Sequence, residues 1–364
     1  MWNEVYKMHK NFWGLAVGQK TQQRQHGHCW CFSPAILQKR FMHLIYIWIV
    51  LFCASLNTGY AQIVQGLTGV PDTSFNTPSA FQKEKKYHPQ IQMPVVPASK
   101  AVVEKRNIVY HQVNKRKLVT DAFYPVKGKG NGIAVIIIHG GGWRSGNRTQ
   151  HHDLARALAA KGYACFTPEY RLSTEAFYPA AIFDIKEAIK WIRVHAKDFG
   201  VDTAKLAVTG FSAGGQMAAL IGCTGNMPAF ENYDTKNGIS TRVSAIIDID
   251  GTLSFVHAES SEQKEPSKVG ASAYWLGYTP RENPVLWASA SPLSYAACSP
   301  PVLFLNSSVE RMHAGRDDYI KVLKDRNVYS EVHTFENSPH AFCLFEPWFT
   351  PTVTLMADFL KKVF

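Results

Sequence analysis

Cysteine pairs, basic tracts and membrane-length apolar runs are scarce or missing in this chain of 364 residues, and each absence removes a class of protein. The seven cysteines form no Cys-x-x-Cys, and their wide spacing gives no zinc or dithiol-redox signature. No Lys/Arg run is long enough to mark a nucleic-acid surface, although the formal net charge is +11. The apolar segment "LIYIWIVLFCASL" at 44–56 has thirteen residues, where a spanning helix needs about 20. No internal repeat is visible, which sets aside solenoids and propellers. What remains is ordinary globular composition, 46% hydrophobic and 18% charged, with length for one large core or two small ones.

The apolar segment follows Lys39 and Arg40 and precedes "NTGYAQ", where Gly59 and Ala61 hold the small-residue places of a cleavage site. Basic, apolar, then small is the layout of a secretory signal peptide. It predicts a secreted or periplasmic protein cut between Ala61 and Gln62, with no membrane attachment afterwards; an uncleaved anchor is the alternative. Residues 1–41 read as hydrophilic and disordered, and Met42 is an alternative start. Residues 1–61 hold six Lys/Arg and one Glu, so the remainder carries 33 basic against 27 acidic residues, about +6. Four cysteines remain there: Cys165, Cys223, Cys298 and Cys343. Export would allow some to pair, whereas Cys165, in the strand-like "YACFTPEY", reads as a small buried apolar residue.

Residues 62–101 are rich in Pro, Thr, Ser and Gln without periodicity and read as a linker or loosely attached arm. From 102 to 364 the pattern is that of one domain of alternating strands and helices. "KRNIVYHQV" and "RKLVTDAFYPV" predict two antiparallel strands turning near Asn114. "GIAVIIIHGGG" has the β-branched run of a strand buried on both faces. Strands at 163–170, 206–211, 243–250, 301–307 and 329–335 alternate with helices near 150–160, 180–200, 213–223 and 316–326. In the second of these helices Ile182, Ile185, Ile189 and Ile192 share a face, with Gly200 as the stop. Thr350 and Pro351 predict the start of a C-terminal helix burying Val353, Met356, Ala357 and Leu360. This alternation predicts an α/β fold with a mostly parallel central sheet covered on both faces. The stretches 224–242 and 251–299 break the rhythm. The second, after the sixth strand, is long enough to form a lid or a substrate wall.

Two glycine motifs carry the chemistry. In "LAVTGFSAGGQMAAL" (206–220) a strand meets a helix at Gly-Phe-Ser-Ala-Gly. A serine that projects from such a tight turn needs very small neighbours, here Gly210 and Gly214. Ser212 is the candidate nucleophile, and the amide of Ala213 at the helix start can face an oxyanion. Upstream, "HGGGW" (139–143) follows the buried strand and supplies further inward-turned amides at Gly141 and Gly142. It lacks the spacing and the Lys-Ser/Thr of a phosphate loop. His139 reads as a brace for this loop. Among fourteen histidines, His340 in "ENSPHAF" sits in a loop after the last strand and is the candidate base. His151, His152, His195 and His333 have structural readings.

From about 102 to 364 these motifs resemble an α/β-hydrolase of the HGGG esterase-lipase kind, related to hormone-sensitive-lipase-like carboxylesterases. "PEYRL", "YPAAIFDIKEAIKWIR", "DIDGTLSF", "SSVERMHAGRDD" and "SPHAFCLFEPWF" bring it nearer to secreted bacterial carbohydrate esterases, pectin and xylan types included. The resemblance implies Ser212 as nucleophile, His340 as base, an oxyanion hole from Gly141, Gly142 and Ala213, and no metal or other cofactor. It also implies an acid after the seventh strand, usually Asp. Here that stretch reads Asn306-Ser307-Ser308-Val309-Glu310, so Glu310 takes the better topological address and is favoured slightly. Asp250, at the end of "IIDID", is its rival, with Asp317 next in line. Arg171 and Asp184 are expected to buttress loops. Trp143, Trp275, Trp287 and Trp348 are candidate sugar-stacking surfaces as well as candidate core, and Arg311 and Arg316 would favour a uronate polymer. The expected function is an exported serine esterase removing acetyl, methyl or feruloyl groups from ester-substituted plant polysaccharide, pectin included. A general short-chain carboxylesterase or lipase and a non-catalytic binding protein of the same fold are the alternatives. A prolyl-oligopeptidase-type peptidase is disfavoured by the missing propeller and the HGGGW loop.

Overall fold

Every residue of the strand β3 (Ala134–Ile138) is buried, as its unbroken Val-Ile-Ile-Ile run requires. Its side chains alternate between two cores, because successive residues of a strand face opposite ways. Ile136 and Ile138 join one cluster, while Val135 and Ile137 join the other. The computed structural model describes residues 66–231, 238–260 and 269–364. The N-terminal extension at 1–61, its signal peptide and the Ala61/Gln62 cleavage site lie outside the described residues.

Around β3 stand β1 (Val102–Val113), β2 (Arg116–Pro125), β4 (Ala164–Pro168), β5 (Leu206–Phe211), β6 (Ala245–Ile249), β7 (Val302–Asn306) and β8 (Ser330–Thr334). The eight strands form one sheet in the order β1-β2-β4-β3-β5-β6-β7-β8. β1 and β2 make an antiparallel hairpin turning at Asn114, which holds φ +52°. β2 is antiparallel to β4, and all later pairings are parallel.

Helices α2 (His152–Ala160), α3 (Ala180–Val194), α4 (Ala213–Cys223), α7 (Arg316–Asp325) and α8 (Phe349–Val363) cover the sheet. Ile182, Ile185, Ile189 and Ile192 of α3 pack with α4 on one face. Leu154 and Leu158 of α2 pack with Val353, Met356 and Leu360 of α8 on the other. This is the α/β-hydrolase arrangement. α3 stops at Val194, six residues before Gly200, which instead ends a separate 3-10 turn at Ala196–Phe199 with φ +65°. α8 begins at Phe349, so Thr350 is inside the helix, its amide donating to Glu346 at 3.3 Å.

The insertion after β6 carries the short helices α5 (Ala271–Leu276) and α6 (Pro284–Ser289) and a 3-10 turn at Pro292–Cys298. Trp275 and Trp287 are wholly buried within it, beside Phe255.

The described part of the 62–101 stretch corrects the reading of a loose arm. It holds the helix α1 (Thr77–Glu84), started by Asn76, whose side chain accepts from the Ser79 amide at 2.9 Å while Ser79 reaches back to the Asn76 amide. Ala80 and Ile91 are buried in the α2/α8 core, and Phe81 meets Phe345 edge-on at 5.6 Å. Gln92 exchanges backbone hydrogen bonds with Glu346. Capping and apolar burial, neither periodic over so short a helix, hold this segment down. Of the four cysteines, Cys165, Cys223 and Cys343 are buried, Cys298 is exposed, and all four are free thiols.

Candidate active site

The sharp turn after β5 is built by contact between glycines. A Cβ on Gly210 would stand 2.3 Å from the Gly214 carbonyl carbon, and one on Gly214 would stand 2.2 Å from the Ile138 oxygen. Only hydrogen fits at either place. The closeness forces Ser212 to φ +56°, ψ −118°, a strained conformation for a residue with a side chain. Its amide is held by the Ile249 carbonyl at 2.8 Å. The serine therefore stands at the carboxyl end of the sheet, immediately before α4.

His340 arrives from the loop after β8. Its Nε2 lies 2.8 Å from Ser212 Oγ, and its Nδ1 lies 2.8 Å from Asp250 Oδ2. The ring rests on Phe211, with centroids 4.8 Å apart. Serine, imidazole and carboxylate thus form one hydrogen-bonded line. The imidazole can take the serine proton while the carboxylate fixes its tautomer.

The carboxylate in that line corrects the preference for Glu310. Glu310 is exposed at the start of a 3-10 turn, Glu310–His313, and is not among the partners of His340. Asp250 follows β6 directly at φ +53° and is wholly buried. The stretch after β7 still takes part, as a donor. The Ser307 amide donates to Asp250 Oδ1 at 2.8 Å, and the Ser307 hydroxyl donates to Oδ2. Asn306 is taken up by Arg316, whose Nη1 donates to its Oδ1 at 2.9 Å. Asp317 pairs with Arg316 at 2.9 Å and does not meet the imidazole.

The HGGGW loop closes the other side. Gly141 holds φ +128°, and a Cβ there would fall 2.2 Å from the Ser145 oxygen. Gly142 holds φ +61°. The Gly140 amide is already spent on Gln150 Oε1 at 2.8 Å, so this glycine positions the loop. Gly142, Ser212, Ala213 and His340 line one cavity of about 240 Å³, with Phe255, Ala271, Met312 and Arg311 on its walls. Gly141, behind Gly142, is not on that lining.

His139 braces the loop as expected. Its ring stacks on Tyr170 at 4.3 Å and its Nδ1 lies 2.9 Å from the Gly140 oxygen. Burial, partly offset by that backbone contact, pulls its pKa down to about 4, so the ring is neutral near pH 7. Arg171 and Asp184 also buttress, with Nη2 to Oδ1 at 2.7 Å and the Arg171 amide to Oδ2 at 2.9 Å.

Three supporting residues escaped the sequence reading. Gln150 holds Gly140, and Ser307 holds Asp250. Gln216 accepts from Trp143 Nε1 at 3.0 Å and donates to the Ala290 carbonyl at 2.8 Å, tying loop, nucleophile helix and insertion together. Only Gln216 had a legible signal, its place next to Gly-x-Ser-x-Gly-Gly. Three of the four tryptophans, Trp275, Trp287 and Trp348, are also corrected as sugar surfaces. Trp275 and Trp287 are fully covered, and Trp143 (8% exposed) stacks on Trp275 at 4.9 Å. Trp348 is buried under α8 and meets His88 edge-on. Of the four, Trp143 alone lines the Ser212 cavity, and the other three fill the cores.

A parallel sheet with a serine in a strained strand-to-helix turn, and a histidine and aspartate from later strand ends, defines an α/β-hydrolase of the esterase-lipase type. The chain belongs to the BD-FAE family, whose model matches residues 120–316, a span that includes Ser212 and Asp250. It is 28% identical over 216 residues to the probable carboxylic ester hydrolase LipM of Mycobacterium tuberculosis, covering 58% of this chain and 47% of LipM. Esterase LipC of the same organism is 28% identical over 249 residues, 63% of this chain and 58% of LipC. The match thus spans about half the length of these relatives. Among solved structures, a truncated carbohydrate esterase from gut microbiota superposes with a TM-score of 0.61 at 21% identity, over 73% of this chain and 100% of that one, a likeness of fold. The propionate-bound esterase Est2 of Thermogutta terrifontis gives a TM-score of 0.58 at 25% identity, over 73% and 96%.

Proposed function

We propose that this protein is a serine esterase that hydrolyses carboxylic esters of short acyl groups, carried by carbohydrate. The observation behind this reading is the unbroken line Asp250–His340–Ser212, with both imidazole contacts at 2.8 Å. His340 takes the Ser212 proton as Oγ attacks the ester carbonyl. The amides of Gly142 and Ala213, with Gly141 behind them, hold the oxyanion. His340 then returns the proton to the leaving alcohol, and a water molecule, activated by the same imidazole, releases the acid from the acyl-enzyme. Asp250 fixes the tautomer of His340 and stabilises the imidazolium. Preference for short acyl groups is supported by the cavity of about 240 Å³, walled by Phe255 and the buried Trp143.

The carbohydrate part of the reading rests on the sequence resemblance and on the gut-microbiota carbohydrate esterase of the same fold. Ser212→Ala should lower kcat for p-nitrophenyl acetate by about 10⁴-fold or more; activity within tenfold of the parent would remove Ser212 from the chemistry. Acetate, methanol and ferulate release from pectin and acetylated xylan, compared with hydrolysis of a long-chain triglyceride, tests the substrate. Faster triglyceride cleavage would make the enzyme a lipase. Export is the proposed setting, and N-terminal sequencing of protein recovered from a bacterial host should begin at Gln62. Recovery of an intact 44–56 segment in the membrane fraction would favour anchoring.

A further inference from the structure

Three openings meet at one side chain. Arg311 lines the cavity that contains Ser212, the polar cleft beside it, and a groove of about 580 Å³ that runs from His340 to the arm. The far wall of that groove is not made by the catalytic domain proper. It is made by Lys83 and Glu84 at the end of α1 and by Tyr87, His88 and Gln90 just beyond it, while Ser308, Asn337 and Ser338 lie nearer His340. The wall is firmly seated. Phe81 packs on Phe345, His88 meets Trp348 at 5.9 Å, and the Gln92–Glu346 bridge ends the segment.

We infer that this groove is an extended subsite for the sugar chain of the substrate, built by the arm and selective for chains that carry carboxylates. The inference rests on the carbohydrate-ester reading above and adds to it a place, an orientation and a charge. Tyr87 is 75% exposed in a groove that reaches His340. An exposed aromatic ring next to hydrogen-bonding side chains is a platform for the apolar face of a pyranose, and a tyrosine has only two side-chain torsions to fix. Gln90, Asn337 and Ser308 supply donors and acceptors for hydroxyls. Lys83 and Arg311 are both exposed and have no ion-pair partner among the described residues, whereas Glu84 is the one carboxylate on the lining. The surplus is cationic. A guanidinium at the junction with the Ser212 cavity suits a sugar carboxylate one or more residues away from the ester under attack. Because the wall is preformed, binding a chain there does not have to order it.

The test uses the full-length protein in two measurements. In the Ser212→Ala background, calorimetry with a de-esterified oligogalacturonide should give binding that weakens by about fivefold on adding Tyr87→Ala. Lys83→Gln should weaken it by a similar factor, and raising NaCl from about 50 to about 500 mM should weaken it further. In the active enzyme, the ratio of kcat/KM for an acetylated oligogalacturonide to that for p-nitrophenyl acetate should fall by about fivefold in Tyr87→Ala. An exposed tyrosine away from the groove, Tyr329, serves as the control, and Tyr329→Ala should leave both quantities unchanged. Binding that ignores Tyr87, or a neutral xylo-oligosaccharide bound as tightly as the acidic chain, overturns the inference. So does a Tyr87→Ala effect equal for the small and the large ester, which would make the arm a brace for the catalytic residues. If the parent enzyme cleaves p-nitrophenyl acetate but no carbohydrate ester, the substrate reading fails, and the binding measurement still decides the groove by itself.

Discussion

Asp250 reaches His340 through its backbone. At φ +53° it occupies the left-handed region, which Asp tolerates better than most side-chain-bearing residues because its short polar group bonds locally. That conformation turns the carboxylate across the end of β7, where Ser307 donates to both of its oxygens and leaves Oδ2 also facing the imidazole. Asp250→Asn should therefore lower kcat by about 10³- to 10⁴-fold near neutral pH with an unchanged circular dichroism spectrum. Glu310→Gln, an exposed change outside that line, should stay within about threefold of the parent, because surface substitutions away from special contacts are near neutral. The same assay on both variants would expose a wrong assignment at once. Gly214→Ala puts a methyl group against the Ile138 oxygen, and its urea midpoint should show a loss of about 3 kcal/mol or more.

At the scale of elements, α1 links the arm to the catalytic domain through a cap, a small buried patch and one backbone bridge. Asn76→Ala removes the side-chain acceptor for the Ser79 amide and should cost about 1 kcal/mol of stability in a urea titration. This helix also marks where the sequence was hard to read. Asn-Thr-Pro-Ser carries the right letters for a helix start, but eight residues are too few to display a period, so composition dominated. The β-branched strands and the isoleucine face of α3 were legible because burial on a regular element imposes a period on the sequence. Ser212 and His340 were legible because their surroundings are local: glycines on either side, a strand just before. The acid was not. Asp250 and Glu310 both follow strands, and choosing between them requires the distance to a ring 90 residues away in sequence from Asp250. The tryptophans failed for a related reason, since an aromatic residue looks the same in sequence whether it lines an opening or fills a core.

For the whole molecule, two buried histidines make acid destabilising, and a buried carboxylate, Asp248, works against them. Burial holds His139 down to about 4 and His151 to about 3, the latter also opposed by the neighbouring histidines. Both therefore stay neutral in the folded state at a pH where the unfolded chain, titrating near 6.5, takes up protons. The stability each histidine contributes is fully present above about pH 6.5 and declines as pH falls toward 4, by up to about 1.4 kcal/mol per pH unit, while Asp248, held well above the usual carboxylate range by burial, opposes that decline. Urea midpoints measured from pH 7.5 to 4.5 should show that decline. His151→Phe should make that slope shallower without unfolding the protein, since the His151 ring nitrogens have no hydrogen-bond partner among the described residues. The spacing of the catalytic groups along the chain has a kinetic consequence of its own. Ser212 and His340 are 128 residues apart in sequence, and His340 lies in the loop beyond β8, the outermost parallel strand, which pairs with β7. Parallel pairings close long loops before they are rewarded, so they come late in folding. A growing or refolding chain would pass through compact forms that already contain the serine turn yet cannot deprotonate it. Recovered hydrolysis after dilution from denaturant should thus lag behind recovered helix signal, and enzyme activity becomes a clock for the last strand to dock.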